Sequence, residues 1–224
     1  MIGIKTYTEN INFVADATEL INNIVSEAKS NYSCSNILLS GGSTPGPIYN
    51  SLNGIKDFSN NLNIGLVDER FVANHSDYSN EKLVRECFSS LDYRSIIGMV
   101  HDIDNPEENL SLLADKYDLF MDRLDLVVLG MGKDGHFASI FPNDTLSEDS
   151  LSKEGSFFNT KAPSYPIDRI TCSLNLLIKS AKIILLIKGK EKLQVLLDNK
   201  LDLPIHKIFE KRKDIITLYL EENE

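Results

Sequence analysis

Six stretches of this chain are apolar at most positions: SNILLS at 35–40, NLNIGLV at 61–67, SIIGMV at 95–100, LDLVVLG at 124–130, AKIILLI at 181–187 and DIITLYL at 214–220. A strand with one wet face alternates polar and apolar residues, so runs this continuous predict strands buried on both faces. Between them the apolar residues recur at helical spacing. Leu20, Ile21, Ile24, Val25 and Ala28 make one stripe, with Asp16 and Glu19 spaced as a capping box ahead of it. Leu112, Leu113, Tyr117, Phe120 and Met121 make a second, and Leu193, Leu196 and Leu197 a third after Gly189. In DIDNPEEN, 102–109, Pro106 is placed for the first turn of a helix. Strand and helix alternate throughout, which predicts a mainly parallel sheet covered on both faces, in one domain spanning residues 1–224.

Composition leaves that picture intact. A chain of 224 residues with 42% hydrophobic and 25% charged residues buries one substantial core and reads as neither disordered nor fibrous. Charge narrows the partners: 23 Lys and Arg against 33 Asp and Glu give −10, with no basic stripe, which argues against nucleic acid and anionic membranes. An anionic ligand would therefore need a locally cationic site. No run approaches 18 uninterrupted apolar residues, and the opening stretch lacks the pattern of a secretory signal. Cys34, Cys87 and Cys172 lie in or beside hydrophobic segments and read as small core residues, reduced in a cytoplasmic protein. His75, His101 and His206 read as surface residues. No obligate protein partner is indicated.

In such a sheet, ligands sit beyond the carboxyl ends of the strands. Four segments there carry unusual chemistry. In SGGSTPGP, 40–47, Gly41 and Gly42 allow close backbone approach, Ser43 and Thr44 add hydroxyls, and Pro45 is placed to open a helix. This is a phosphate cradle or a plain glycine-rich turn, and the segment by itself supports both. In VDERFV, 67–72, a strand ends in Asp68, Glu69 and Arg70, which can point into a crevice or simply be solvated. In GMGKDGHF, 130–137, three glycines leave space for Asp134 and His136, a pairing suited to proton transfer near neutral pH. Finally, Arg169 enters an extended segment and Lys192 falls at the start of a helix; both are natural partners for a phosphate.

Taken in order, Ser-Gly-Gly-Ser-Thr-Pro at 40–45, Asp-Glu-Arg at 68–70, Ser-Asn at 79–80, Gly-Met-Gly-x-Asp-Gly-His at 130–136, Ala-Ser-x-Phe-Pro at 138–142, Arg-Ile-Thr at 169–171 and Gly-x-x-Lys at 189–192 resemble the 6-phosphogluconolactonases over nearly the whole chain. Two positions depart from the family pattern. Ala73 replaces a usual proline and Phe137 a usual threonine, the latter expected to alter the pocket wall.

The resemblance implies a three-layer α/β/α, Rossmann-like fold and hydrolysis of 6-phospho-D-glucono-1,5-lactone to 6-phosphogluconate, a step of the oxidative pentose phosphate pathway, with no metal or organic cofactor. It implies His136 as the base that activates water. Asp134 either orients that histidine or binds sugar hydroxyls, and the sequence leaves both open. Asp68 and Arg70 line the sugar end, with Arg70 a candidate for stabilising charge at the carbonyl. Gly41, Gly42, Ser43 and Thr44 cradle the phosphate, clamped by Arg169 and Lys192. Glucosamine-6-phosphate deaminases resemble the chain in fold and in the Asp-Gly-His loop, but they carry a glutamate that partners the histidine where this chain has Phe141. A non-catalytic sugar-phosphate sensor is a third reading.

Overall fold

The structure, a computed structural model, describes residues 2–92, 95–198 and 202–222. Six parallel strands form the main sheet, in the order β1 (Ile4–Tyr7), β9 (Ile216–Leu220), β8 (Lys182–Lys188), β5 (Leu126–Gly130), β2 (Ser35–Leu39) and β3 (Leu62–Leu66). The continuous apolar runs behave as predicted: every residue of β2 is buried, and Ile183 to Ile187 of β8 are at most 2% exposed. A second, antiparallel sheet joins β4 (Asp68–Arg70), β7 (Asp168–Cys172) and β6 (Phe157–Lys161).

Helices flank the main sheet. α1 (Asn10–Tyr32) packs on β1, β2 and β9, and buries Phe13, Ala17, Ile21, Val25 and Ala28. α2 (Gly46–Asn53) follows β2 and packs on α1 and on α3 (Asn80–Cys87). α4 (Pro106–Lys116) opens with Pro106 in its first turn, where Asn105 caps it by accepting from the Glu108 amide. α5 (Asp118–Asp122) continues the stripe, and Leu113, Tyr117 and Phe120 are fully buried. The remaining helices are α6 (Thr145–Ser152), α7 (Leu174–Leu177), α8 (Lys190–Leu197) and α9 (Pro204–Lys211). None of the described helices is long and apolar enough to cross a membrane.

Three expectations need correction. The stripe of α1 reaches back to Phe13, so the helix starts at Asn10 and Asp16 lies inside it, bound to Lys5 and to the Tyr7 hydroxyl rather than capping. Segment 95–100 makes a single bridge, Ile96 to Ile64, and no strand. Its carbonyls are taken by side chains instead: Ile96 O accepts from Arg85 Nη2, Ile97 O from the Tyr117 hydroxyl and Met99 O from Asn109 Nδ2. Backbone groups satisfied this way have no ladder to build. Third, Leu197 is half exposed, so only Leu193 and Leu196 of the third stripe face inward. Cys87 and Cys172 are buried, Cys34 is half-buried, and all three are free thiols.

Candidate active site

Because the main sheet is all parallel, the carboxyl ends of its strands lie along one edge. β8, β5, β2 and β3 are consecutive neighbours there, and each of the four leads into one of the segments singled out by sequence. The chain runs from β2 outward to β3 on one side, and from β5 outward to β8 on the other. The gap between β2 and β5 is thus a topological switch point, the usual place for a ligand crevice in such sheets. A cleft of about 260 Å³ opens there, lined by Gly41, Gly42, Ser43, Thr44, Asp68, Arg70, His136, Arg169 and Lys192 among others.

Nine of the ten predicted site residues therefore meet in one cavity. The tenth, Asp134, sits behind the histidine. Its Oδ1 is 2.6 Å from His136 Nδ1 and also accepts from the His136 amide. A carboxylate there favours the Nδ1–H tautomer, which leaves Nε2 as the basic nitrogen. Burial raises the Asp134 carboxyl, but the hydrogen bond and charge of His136 outweigh it and hold the group below its ordinary value. The pair fits because position 132 is glycine: a Cβ there would overlap His136 Nδ1, His136 Cε1 and Asp134 Oδ1. The loop is fixed from behind as well, where Gly135 O accepts from the Ile205 amide of α9.

The cationic side comes from two neighbouring strands of the second sheet and a helix. Arg70 on β4 and Arg169 on β7 are cross-strand partners. Arg70 Nη1 donates to Tyr78 O at 2.6 Å, and Arg169 Nε donates to Pro166 O at 2.8 Å. Burial and then the adjacent Arg70 charge lower the Arg169 guanidinium, opposed by Asp68 and Glu69. Arg169 also lies over the Phe141 ring, at 5.7 Å from its centre. Lys192 is half-buried near the start of α8, and its ammonium is lowered chiefly by that burial. Among the residues lining the cleft, Arg70, Arg169 and Lys192 face the single carboxylate of Asp68, and these three cations give the local positive charge that a chain of net charge −10 otherwise lacks.

Several residues that hold this geometry were not placed in the site by sequence. Asp68 is buried and accepts from Ser139 Oγ, whose own backbone is fixed by the Thr160 and Thr171 hydroxyls. Asn80 lines the cleft, donates to Asp68 O, and packs so tightly on Gly41 that any Cβ there would overlap its amide. Glu69, 2% exposed, accepts from the Arg70, Asn80 and Glu81 amides and from Ser79 Oγ, and so binds β4 to the start of α3. Burial pushes its carboxyl up to about 7 against these hydrogen bonds. The Ser-Asn pair was visible as a motif, but nothing local revealed its bond to β4.

Two further expectations are corrected. Phe137 does not form the pocket wall: it is fully buried in the core and bridges to Met131 and Ile140. The aromatic ring against His136 is Phe141, 6% exposed, its centre 4.6 Å from that of the imidazole. His206 is half-buried rather than a surface residue; its Nδ1 accepts from the Leu203 amide at the start of α9, and Nε2 meets Val195 O of α8 at 3.1 Å. His75 and His101 are exposed.

Comparisons with known proteins agree with the fold. Residues 9–217 match the model of the family described as glucosamine-6-phosphate isomerases/6-phosphogluconolactonase. The 6-phosphogluconolactonase of Thermotoga maritima is 34% identical over 183 residues, covering 80% of each chain. That of Rhizobium meliloti is 27% identical over 192 residues, covering 82% of this chain and 83% of its own. A solved 6-phosphogluconolactonase from Shewanella baltica superposes with a TM-score of 0.90 at 28% identity, covering 99% of this chain and 98% of its own. The chain belongs to the glucosamine-6-phosphate isomerase/6-phosphogluconolactonase family.

Proposed function

We propose that this protein hydrolyses 6-phospho-D-glucono-1,5-lactone to 6-phospho-D-gluconate, the lactone-opening step of the oxidative pentose phosphate pathway. The observation that carries the reading is the Asp134–His136 hydrogen bond, set in a cleft shared with Arg70, Arg169 and Lys192. Ester hydrolysis of a phosphorylated sugar needs an activated water, a site for developing negative charge and a hold on the phosphate. Each need has a candidate here.

His136, held by Asp134 with Nε2 free, takes a proton from water as the oxygen attacks the C1 carbonyl. Arg70 stabilises the oxyanion that forms. When the ring C–O bond breaks, the imidazolium returns its proton to the leaving ring oxygen, and the product acid ionises to solution. Asp134 thus serves as the orienting group, and Asp68 faces the sugar hydroxyls. The phosphate rests on Gly41, Gly42, Ser43 and Thr44 at the start of α2, with Arg169 and Lys192 as counter-charges. We take residues 1–224 as one functional unit, consistent with a contiguous hydrophobic core, acting in the cytoplasm without metal or organic cofactor.

The deaminase alternative needs an acid-base relay for moving a proton between carbons. Phe141 occupies the space against His136 and cannot move a proton. Two assays on one preparation test the assignment: acid release from the lactone, with spontaneous hydrolysis subtracted, and ammonia release from glucosamine 6-phosphate. Acid without ammonia is expected. Ammonia at a comparable rate overturns the reading in favour of the deaminase, and binding without turnover favours the sensor.

A further inference from the structure

Two aromatic side chains near the cleft's arginines are conspicuously wet: Tyr78 is 46% exposed and Tyr165 is 71% exposed. They come from different loops, one between β4 and α3, the other between β6 and β7, and their rings meet edge to face at 5.2 Å and 87°. Neither belongs to the core cluster or lines the cleft. Their backbone neighbourhood explains them. Arg70 donates to the carbonyl of Tyr78 itself, and Arg169 to the carbonyl of Pro166, the residue after Tyr165.

The two guanidiniums stand in cross-strand register on β4 and β7, where like charges repel. Each is aimed by one loop carbonyl. The loops are anchored at their bases, the first by Glu69 on the Ser79 hydroxyl and the Asn80 amide, the second by the Ala162 amide on Ile167 O. The ring contact joins them at their tips. We infer that Tyr78 and Tyr165 form a clasp that sets the spacing of Arg70 and Arg169, and are positioning residues for anion binding in the cleft. The inference rests on the lactonase reading for its substrate, but only on the cationic cleft for its test.

An edge-to-face pair contributes a coupling equivalent to about twofold to tenfold in an equilibrium constant. Tyr165→Ala and Tyr78→Ala should therefore each weaken the affinity for 6-phosphogluconate and for inorganic phosphate, measured by calorimetry, by roughly threefold to tenfold. The double variant should be no worse than either single one, because one missing ring already opens the clasp. Tyr165→Phe and Tyr78→Phe keep the ring contact and should bind within about twofold of wild type. The thermal midpoint should move little in all of them, since both rings are largely in water.

Alanine variants that bind like wild type, losses that add in the double variant, or phenylalanine variants as weak as the alanine ones would each overturn the clasp. So would a large drop in midpoint, which would make the rings general supports of the fold. If wild type binds the anions but fails to hydrolyse the lactone, the lactonase reading falls while the affinity series still decides the clasp. If wild type binds neither anion, both fall.

Discussion

Replacing Gly132 with alanine tests the active-site geometry without touching any group that does chemistry. The backbone at 132 is outside the left-handed region, so alanine is conformationally allowed. Only the neighbours object. A methyl placed there would sit roughly 1 Å inside ordinary contact with His136 Nδ1 and Cε1 and with Asp134 Oδ1, and a misplacement of about 1 Å in a reacting group costs on the order of 100-fold in rate. Disrupting the 2.6 Å bond to the imidazole acts in the same direction, since a hydrogen bond to a charged group contributes about 1.5–3 kcal/mol. We expect kcat for the lactone to fall about 100-fold, or about 2.7 kcal/mol. Stability should change little, because both side chains are about a third exposed and can shift toward the cleft. The assay is acid release at constant pH, corrected for spontaneous hydrolysis, beside a calorimetric unfolding midpoint. A folded Gly132→Ala protein with kcat within threefold of wild type would refute the claim that the reaction uses this dyad.

Removing the proposed base, in His136→Asn, should lower the catalysed rate at least ~100-fold with little effect on folding, checked by the same two measurements. Arg169→Ala and Lys192→Ala should reduce kcat/KM for the phosphorylated lactone far more than for glucono-1,5-lactone; equal losses on both substrates would contradict a phosphate clamp. Glu69 gives a pH signature. Its folded value of about 7 stands above the ordinary carboxyl value of 4.5, so the folded state binds the extra proton between these limits, and stability is full below 4.5 and declines as pH rises through 7. Wild type should therefore lose up to about 3 kcal/mol relative to Glu69→Gln between pH 4.5 and pH 8, in denaturant unfolding, and a difference independent of pH would place the carboxyl elsewhere.

What the sequence revealed, and what it hid, follows from how local each signal is. β2, β3, β5, β8 and β9 were legible because a strand covered on both faces must be apolar at nearly every position. β4 and β6 were not, because DER and FFNTK carry no such pattern and are strands only by virtue of partners far along the chain. β1 has the burial pattern of an edge strand and gave no run to read. Segment 95–100 misled in the opposite direction: Ile96 and Met99 are buried, while three side chains take its carbonyls. In the site, the glycine-rich loops and the Asp134–His136 spacing were readable because both lie within a few residues. The supports of Asp68 and Arg70 were not, since Ser139, Asn80 and Tyr78 reach them only through the fold.

The cross-strand pairing of Arg70 with Arg169 makes heat resistance partly a property of the surroundings. Two guanidiniums side by side cost the sheet something that an anion between them would return. A ligand bound only by the folded chain stabilises it by about 2.7 kcal/mol at a hundred times its dissociation constant. Phosphate or sulfate in a buffer would then report a sturdier molecule than chloride does, and comparisons of unfolding midpoints among variants would mix fold strength with salt choice. In a cell, the sugar-phosphate pool would act as a chaperone for its own enzyme, guarding it while flux is high and leaving it exposed to proteases when the supply runs down.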